Sequence, residues 1–130
     1  MTGRHRLLLG LMGVVLSACS YGPDPDRRTD FVLFYHDGST ALDPAATATV
    51  ERAAIAARTA PGLDVMVAGF ADLATTPEAN QILSRIRAQT VADRLVQLGV
   101  ARSRIQLSPR RAIGGDPGLE SRRVEIRIGR

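Results

Sequence analysis

The sequence predicts an α+β domain, a two-layer β-α-β-α-β-β sandwich whose mixed four-stranded sheet carries two main helices on one face. Three observations predict it. Two segments with helical apolar spacing open on cap-and-proline pairs, Asp43-Pro44 and Thr76-Pro77. Short strand-like runs separate and follow them, most clearly Val124, Ile126 and Ile128 alternating with Glu125 and Arg127. Hydrophobic residues make up 45% of the chain and aromatics only 4%, so the core must be built from Leu, Ile, Val and Ala.

Phe31 to Tyr35 reads as the first strand, ended by His36-Asp37-Gly38. In the first helix Ala46, Val50, Ala53, Ala54 and Ala57 form the apolar face, opposite Thr47, Glu51 and Arg58, and Pro61-Gly62 stops it. Leu63 to Phe70 is the second strand, with Leu63, Val65 and Val67 alternating against Asp64, Met66 and Ala68. The second helix runs from Pro77 to a C′ glycine at Gly99. Arg104 to Ser108 is a short third strand and Arg123 to Ile128 the fourth. Between them Pro109 to Ser121 is a loop rich in Gly, Pro and Arg. No internal repeat is present.

All 17 basic residues are arginines, and the formal charge is +4. Setting aside Arg4 and Arg6 in the leader leaves 15 basic residues against 13 acidic ones, an excess of two scattered along the chain. A nucleic-acid surface would need a basic stripe with stacking aromatics, and neither is present. One cysteine, Cys19, excludes an internal disulfide. His5 lies in the leader, which leaves no histidine–cysteine set with zinc spacing. No cofactor is expected.

The first residues have the layout of a secretory signal: Arg4-His5-Arg6, then an apolar run from Leu7 to Leu16. That run is too short to span a bilayer, which takes about 20 apolar residues. It ends in Leu16-Ser17-Ala18-Cys19, which resembles the bacterial lipobox. The resemblance implies cleavage after residue 18, a diacylglycerol on Cys19 and acylation of the new amino terminus, with palmitate expected. Several acyl chains anchor a protein stably, since each buried methylene contributes about 0.8 kcal/mol. Ser20 after the cysteine favours outer-membrane sorting, by resemblance to enterobacterial lipoproteins. Residues 19–30 then read as a lipidated tether with Pro, Gly and mixed charge. Ser20 to Asp30 reaches at most about 36 Å at roughly 3.3 Å per residue. The expected organisation is a signal peptide over 1–18, a tether over 19–30 and a domain over 31–130.

On a helical wheel at 100° per residue, Asn80, Ser84, Arg87, Val91, Leu95 and Leu98 fall within one 80° stripe, flanked by Leu83 and Arg94. Val91, Leu95 and Leu98 should face the core. Arg87 therefore sits on or beside an apolar seam, where an unpaired charge is costly. Three explanations fit. Its stem snorkels outward; it forms a structural salt bridge, with Asp72 the nearest candidate; or Asp72 and Arg87 grip a zwitterion between them. In the last case the carboxylate takes an ammonium and the guanidinium takes a carboxylate through two hydrogen bonds.

The chain resembles the OmpA-like domain, the domain of peptidoglycan-associated lipoproteins, from about Phe31 to Ile128. Ser39-Thr40-Ala41-Leu42-Asp43-Pro44 matches the family's start of the first helix. Gly69-Phe70-Ala71-Asp72, followed by Asn80, Leu83, Ser84, Arg87 and Ala88, matches the central motif Gly-His-Thr-Asp with Asn-x-x-Leu-Ser-x-x-Arg-Ala. Leu95-Val96-Gln97-Leu98-Gly99-Val100 matches the end of the second helix, and Ser121-Arg122-Arg123-Val124-Glu125-Ile126 the final motif. The resemblance implies non-covalent binding of the diaminopimelate residue of the peptidoglycan stem peptide. Asp72 would meet its ammonium and Arg87 its carboxylate, with Asn80 and Arg122 supporting the pocket. It also implies a periplasmic domain that links the outer membrane to the wall, with other envelope proteins as further partners.

The rim departs from the family. Phe70 and Ala71 replace a histidine and a threonine, Thr75 a glycine and Ser121 an asparagine, and the loop over 110–120 is short. A second reading is therefore a scaffold with a degenerate pocket that docks an envelope partner. An enzyme is not expected. His36, Asp37 and Ser39 are neighbours on a loop tip, whereas a triad is an arrangement in space.

Overall fold

The computed structural model describes residues 28–71, 76–109 and 121–130. In chain order it has β1 (Thr29–Phe34), α1 (Pro44–Thr59), β2 (Asp64–Gly69), α2 (Pro77–Gln97), a single 3-10 turn (Arg102–Arg104), β3 (Ile105–Pro109) and β4 (Arg123–Gly129). The expected signal peptide, Cys19, the expected tether as far as residue 27 and the loop over 110–120 lie outside the described residues.

The sheet order is β1-β4-β2-β3, so the last strand of the chain is inserted between the first two. β4 pairs antiparallel with both β1 and β2, while β2 and β3 are parallel. The predicted mixed sheet with both helices packed on it is the observed fold. β1 begins earlier than expected: Thr29 and Asp30, assigned above to the tether, pair with Ile128 and Arg127 of β4. Asp30 accepts a 2.9 Å hydrogen bond from Arg127 Nε. Both residues have ordinary strand geometry available, and the long β4 simply offers them partners.

Each helix starts as its cap residues dictate. Asp43 Oδ1 accepts from Ala46 N at 2.7 Å and Thr76 Oγ1 from Ala79 N at 3.2 Å, each side chain satisfying an otherwise orphaned donor. α2 ends where Gly99 takes φ +93°, a conformation that costs a residue with a Cβ. The buried face of α1 is Ala46, Thr49, Val50, Ala53, Ala54 and Ala57, small side chains that let it sit close to the sheet. Val124 and Ile126 of β4 are fully buried, as are Val65 and Val67 of β2 and Val91 and Leu95 of α2.

Three expectations need correction. Ala68 alternates with Met66 on the face opposite Val65 and Val67, yet it is buried. Leu98 is only partly buried, and Ala88 and Ala92 join the buried stripe of α2 instead. Arg104 is not a strand residue but closes the 3-10 turn. Its guanidinium donates to three carbonyls, Leu63 at 2.8 Å, Ala57 at 2.9 Å and Ala60 at 2.8 Å. These lie at the C-terminal end of α1 and the turn into β2. A positive charge is favoured there, and the carbonyls at a helix end lack intrahelical donors.

Ile126→Ala, at the centre of the middle strand, should cost about 2–5 kcal/mol in chemical denaturation. Arg104→Lys should lose about 1–2 kcal/mol, because an ammonium cannot span three diverging carbonyls as a planar fork does. A fully retained midpoint in the lysine variant would show that charge alone holds the α1 terminus.

Candidate functional site

Three chain segments meet at one end of the sheet. Tyr35, just past β1, donates its N–H to Arg122 O at 2.7 Å. Phe70, just past β2, donates to Arg123 O at 2.9 Å. The exits of β1 and β2 thus flank the start of β4. α2 runs back from this same end with Asn80, Ser84 and Arg87 on its buried stripe. Gly69 sets how closely strand and helix approach. A Cβ there would overlap the Ser84 carbonyl oxygen and lie 3.2 Å from Ala88 Cβ. Glycine on the strand and small residues on the helix are therefore one requirement.

Arg87 is completely buried, which excludes snorkelling. Its Nε donates to Ser39 O at 2.9 Å, Nη1 to Phe70 O at 3.3 Å and Nη2 to His36 O at 3.4 Å. The guanidinium thereby fastens the β1–α1 loop and the end of β2 to α2. Its carbon stands 5.0 Å from the centroid of the Tyr35 ring, within cation–π range. The Tyr35 hydroxyl donates to the Arg87 carbonyl at 3.2 Å. Burial pushes the Tyr35 phenol far above its ordinary value, while the Arg87 charge pulls it down by less.

Arg122 is half-buried, and its Nε is buried with no hydrogen-bond acceptor among the described residues. Ser121 beside it is buried. Phe70, in the position of the family's histidine, is also buried. Its ring lies 3.9 Å from the Arg123 guanidinium carbon, and Arg123 Nε also donates to Glu125 at 2.7 Å. Of the four expected binding residues, Asn80, Arg87 and Arg122 are thus brought to one end of the fold. Asp72 falls outside the described residues.

Sequence reasoning missed the carbonyls of His36, Ser39 and Phe70, since backbone acceptors leave no trace in residue types. It also missed Tyr35, although a tyrosine at a core-facing strand position signals a buried hydroxyl in need of a partner. The loop-tip residues behave as turn residues. His36 Nε2 lies 3.2 Å from Asp43 Oδ2, and Ser39 Oγ accepts from Ala41 N at 3.1 Å. No group of three metal-ligating side chains occurs among the described residues.

The OmpA family profile matches residues 34–115, which is more than half of the chain. The chain belongs to the OmpA family. Among solved structures, the peptidoglycan-associated lipoprotein from Burkholderia pseudomallei is similar at 21% identity and a TM-score of 0.69, over 75% of this chain and 89% of that one. The periplasmic domain of Helicobacter pylori MotB is similar at 23% and 0.65, over 80% and 75%. The cell wall anchor of the T6SS from Pseudomonas aeruginosa is similar at 23% and 0.63, over 78% and 81%. These likenesses show a shared OmpA-like fold. No curated protein matches the chain.

Arg87→Leu should cost about 3 kcal/mol or more, because three acceptors in the interior lose one donor group. A smaller loss would show that the loop carbonyls find other donors. The buried phenol gives a pH prediction. The folded state holds the Tyr35 proton more tightly than the unfolded chain. That contribution is complete below the unfolded value near 10 and is lost as pH rises beyond it. Stability should therefore fall above about pH 10, and Tyr35→Phe should flatten that fall in denaturation curves taken at successive pH values.

Proposed function

We propose that this protein is a non-enzymatic lipoprotein of the bacterial envelope whose OmpA-like domain binds peptidoglycan without a covalent bond. In this reading Asp72 and Arg87 hold the diaminopimelate residue of the stem peptide, Asp72 at its ammonium and Arg87 at its carboxylate. Asn80 and Arg122 line the same pocket. Cys19 carries the lipid, residues 1–18 are the signal peptide, and the domain faces the periplasm from the outer membrane.

The observation that carries the reading is the arginine pair at one end of the sheet. Arg87 is held rigid by backbone carbonyls, and Arg122 buries an Nε donor that lacks an acceptor among the described residues. A donor left this way is costly unless something accepts from it, and a ligand carboxylate fits that need. A site that is already rigid loses little entropy on binding. The similar proteins lend support, since one is a peptidoglycan-associated lipoprotein and another a cell wall anchor.

Phe70 favours a second reading. It fills the family's histidine position with a buried ring stacked under Arg123, so position 70 offers no side-chain hydrogen bond. A domain altered in this way can serve as an assembly partner in an envelope complex.

Sedimentation with purified sacculi separates the two. The wild-type protein should pellet with the sacculi, while Asp72→Asn and Arg122→Gln, both expected to keep the fold, should stay mostly in the supernatant. If wild type and variants alike remain soluble, wall binding is lost and the scaffold reading stands. Anchoring has its own test: labelled palmitate should enter the wild-type chain in cells and not Cys19→Ser.

A further inference from the structure

A guanidinium grips a carboxylate through two parallel hydrogen bonds only when its plane faces the ligand squarely. The three carbonyls that accept from Arg87 meet it along its edge, where its N–H bonds point, and so fix it within its own plane. They resist tilting weakly, because a hydrogen bond tolerates tens of degrees of misalignment. Two of the three bonds are also long, 3.3 Å to Phe70 O and 3.4 Å to His36 O.

Tyr35 bears on the group in another way. The guanidinium carbon stands over its ring, 5.0 Å from the centroid. The attraction between a cation and a ring is strongest where water is excluded, and here both side chains are buried. The same tyrosine also holds the other end of Arg87, because its hydroxyl donates to the Arg87 carbonyl at 3.2 Å. Its main-chain N–H donates to Arg122 O at 2.7 Å. Tyr35 therefore touches both arginines of the candidate site, Arg87 at guanidinium and backbone, Arg122 at the backbone. Packing alone does not call for a tyrosine here. Phenylalanine or leucine would fill a core-facing position with no hydroxyl to satisfy, and a buried hydroxyl is costly unless it is bonded.

We propose that Tyr35 is a positioning residue for peptidoglycan binding, a role that rests on the wall-binding reading of this site. Its ring sets the tilt of the Arg87 guanidinium, and so the aim of the donors that meet the ligand carboxylate. The ring acts on Arg87 and not on Arg122, since the bond to Arg122 comes from the main chain and survives any substitution except proline. Removing the ring should therefore loosen one guanidinium of the site while the β1–β4 ladder stays intact. A group that must first be ordered pays that entropy on binding, so a looser Arg87 holds the wall less tightly.

Affinity for purified sacculi and the NMR signals of isotope-labelled arginine side chains test this together. Tyr35→Met, which fills much of the space with a flexible chain and no ring, should bind sacculi about tenfold more weakly, the size of a desolvated cation–ring contact. Tyr35→Leu, a second ringless variant, should behave the same way. Tyr35→Phe keeps the ring and should stay within about twofold of wild type. Ile126→Ala loses core packing between Phe31 and Val67, away from the arginines, and should bind as wild type wherever it is folded. Without sacculi, the Arg87 Nη protons should give separate signals in wild type and Tyr35→Phe. In the ringless variants they should average as the guanidinium turns. Ringless variants that bind like wild type, or that leave the Arg87 signals unchanged, would overturn the positioning role and leave wall binding standing. So would an Ile126→Ala protein that loses as much affinity as they do. A wild-type protein that stays in the supernatant would instead remove the wall-binding reading, and the role of Tyr35 with it.

Discussion

The fold depends on one buried guanidinium. Arg87 lies on the packed face of α2 with no solvent contact, and the carbonyls of His36, Ser39 and Phe70 accept from it. An arginine buried against apolar surface alone would cost several kcal/mol. These carbonyls come from places that share no secondary structure, the β1–α1 loop and the end of β2. A regular ladder could not satisfy them together. Arg87 does, and so sets how three elements meet at one end of the sheet. The close approach of Gly69 to Ser84 brings the Phe70 carbonyl within reach, and the Tyr35 ring lies against the guanidinium.

The order of the strands imposes a second constraint. β4 supplies the fully buried Val124 and Ile126 and pairs on both sides, yet it is the last element of the chain. β1 and β2 do not touch as neighbours until it arrives, so the sheet closes through contacts distant in sequence. Arg122 and Arg123, where β4 opens, are also the residues whose carbonyls accept from the N–H groups of Tyr35 and Phe70. The step that completes the sheet is therefore the step that completes the candidate site. Candidate site and core are not separable parts of this domain.

Much of this was legible in the sequence. The helix starts at Asp43-Pro44 and Thr76-Pro77 follow from caps whose chemistry is local, and the alternation in β4 named its buried face correctly. The wheel placed Arg87 on the seam because helical geometry needs only spacing. What stayed illegible depends on the chain folding back on itself. No residue type reveals that β4 is central, or that Arg104 reaches the carbonyls of Ala57, Ala60 and Leu63. Ala68 reads as an outer-face residue and is one, but its burial depends on what lies beside it. Asp72 was reached as the nearest partner for Arg87 and by resemblance, and it lies outside the described residues, while Arg87 was reached from burial.

Arg87 and Arg104 make an instructive pair. Each gathers three backbone carbonyls, one where β2 ends and the other where β2 begins, so arginines pin the helical layer at both ends of the sheet. In a chain without lysine, this shows what the guanidinium offers: several donors in a fixed plane that diverging acceptors can share. The surroundings then divide the two. Arg104 caps a helix terminus, and its three bonds account for it as a structural residue. Around Arg87 stand a second arginine with a buried Nε, a buried serine and a buried asparagine. Buried polar side chains gather beside Arg87, and the proposed recognition chemistry rests on that gathering.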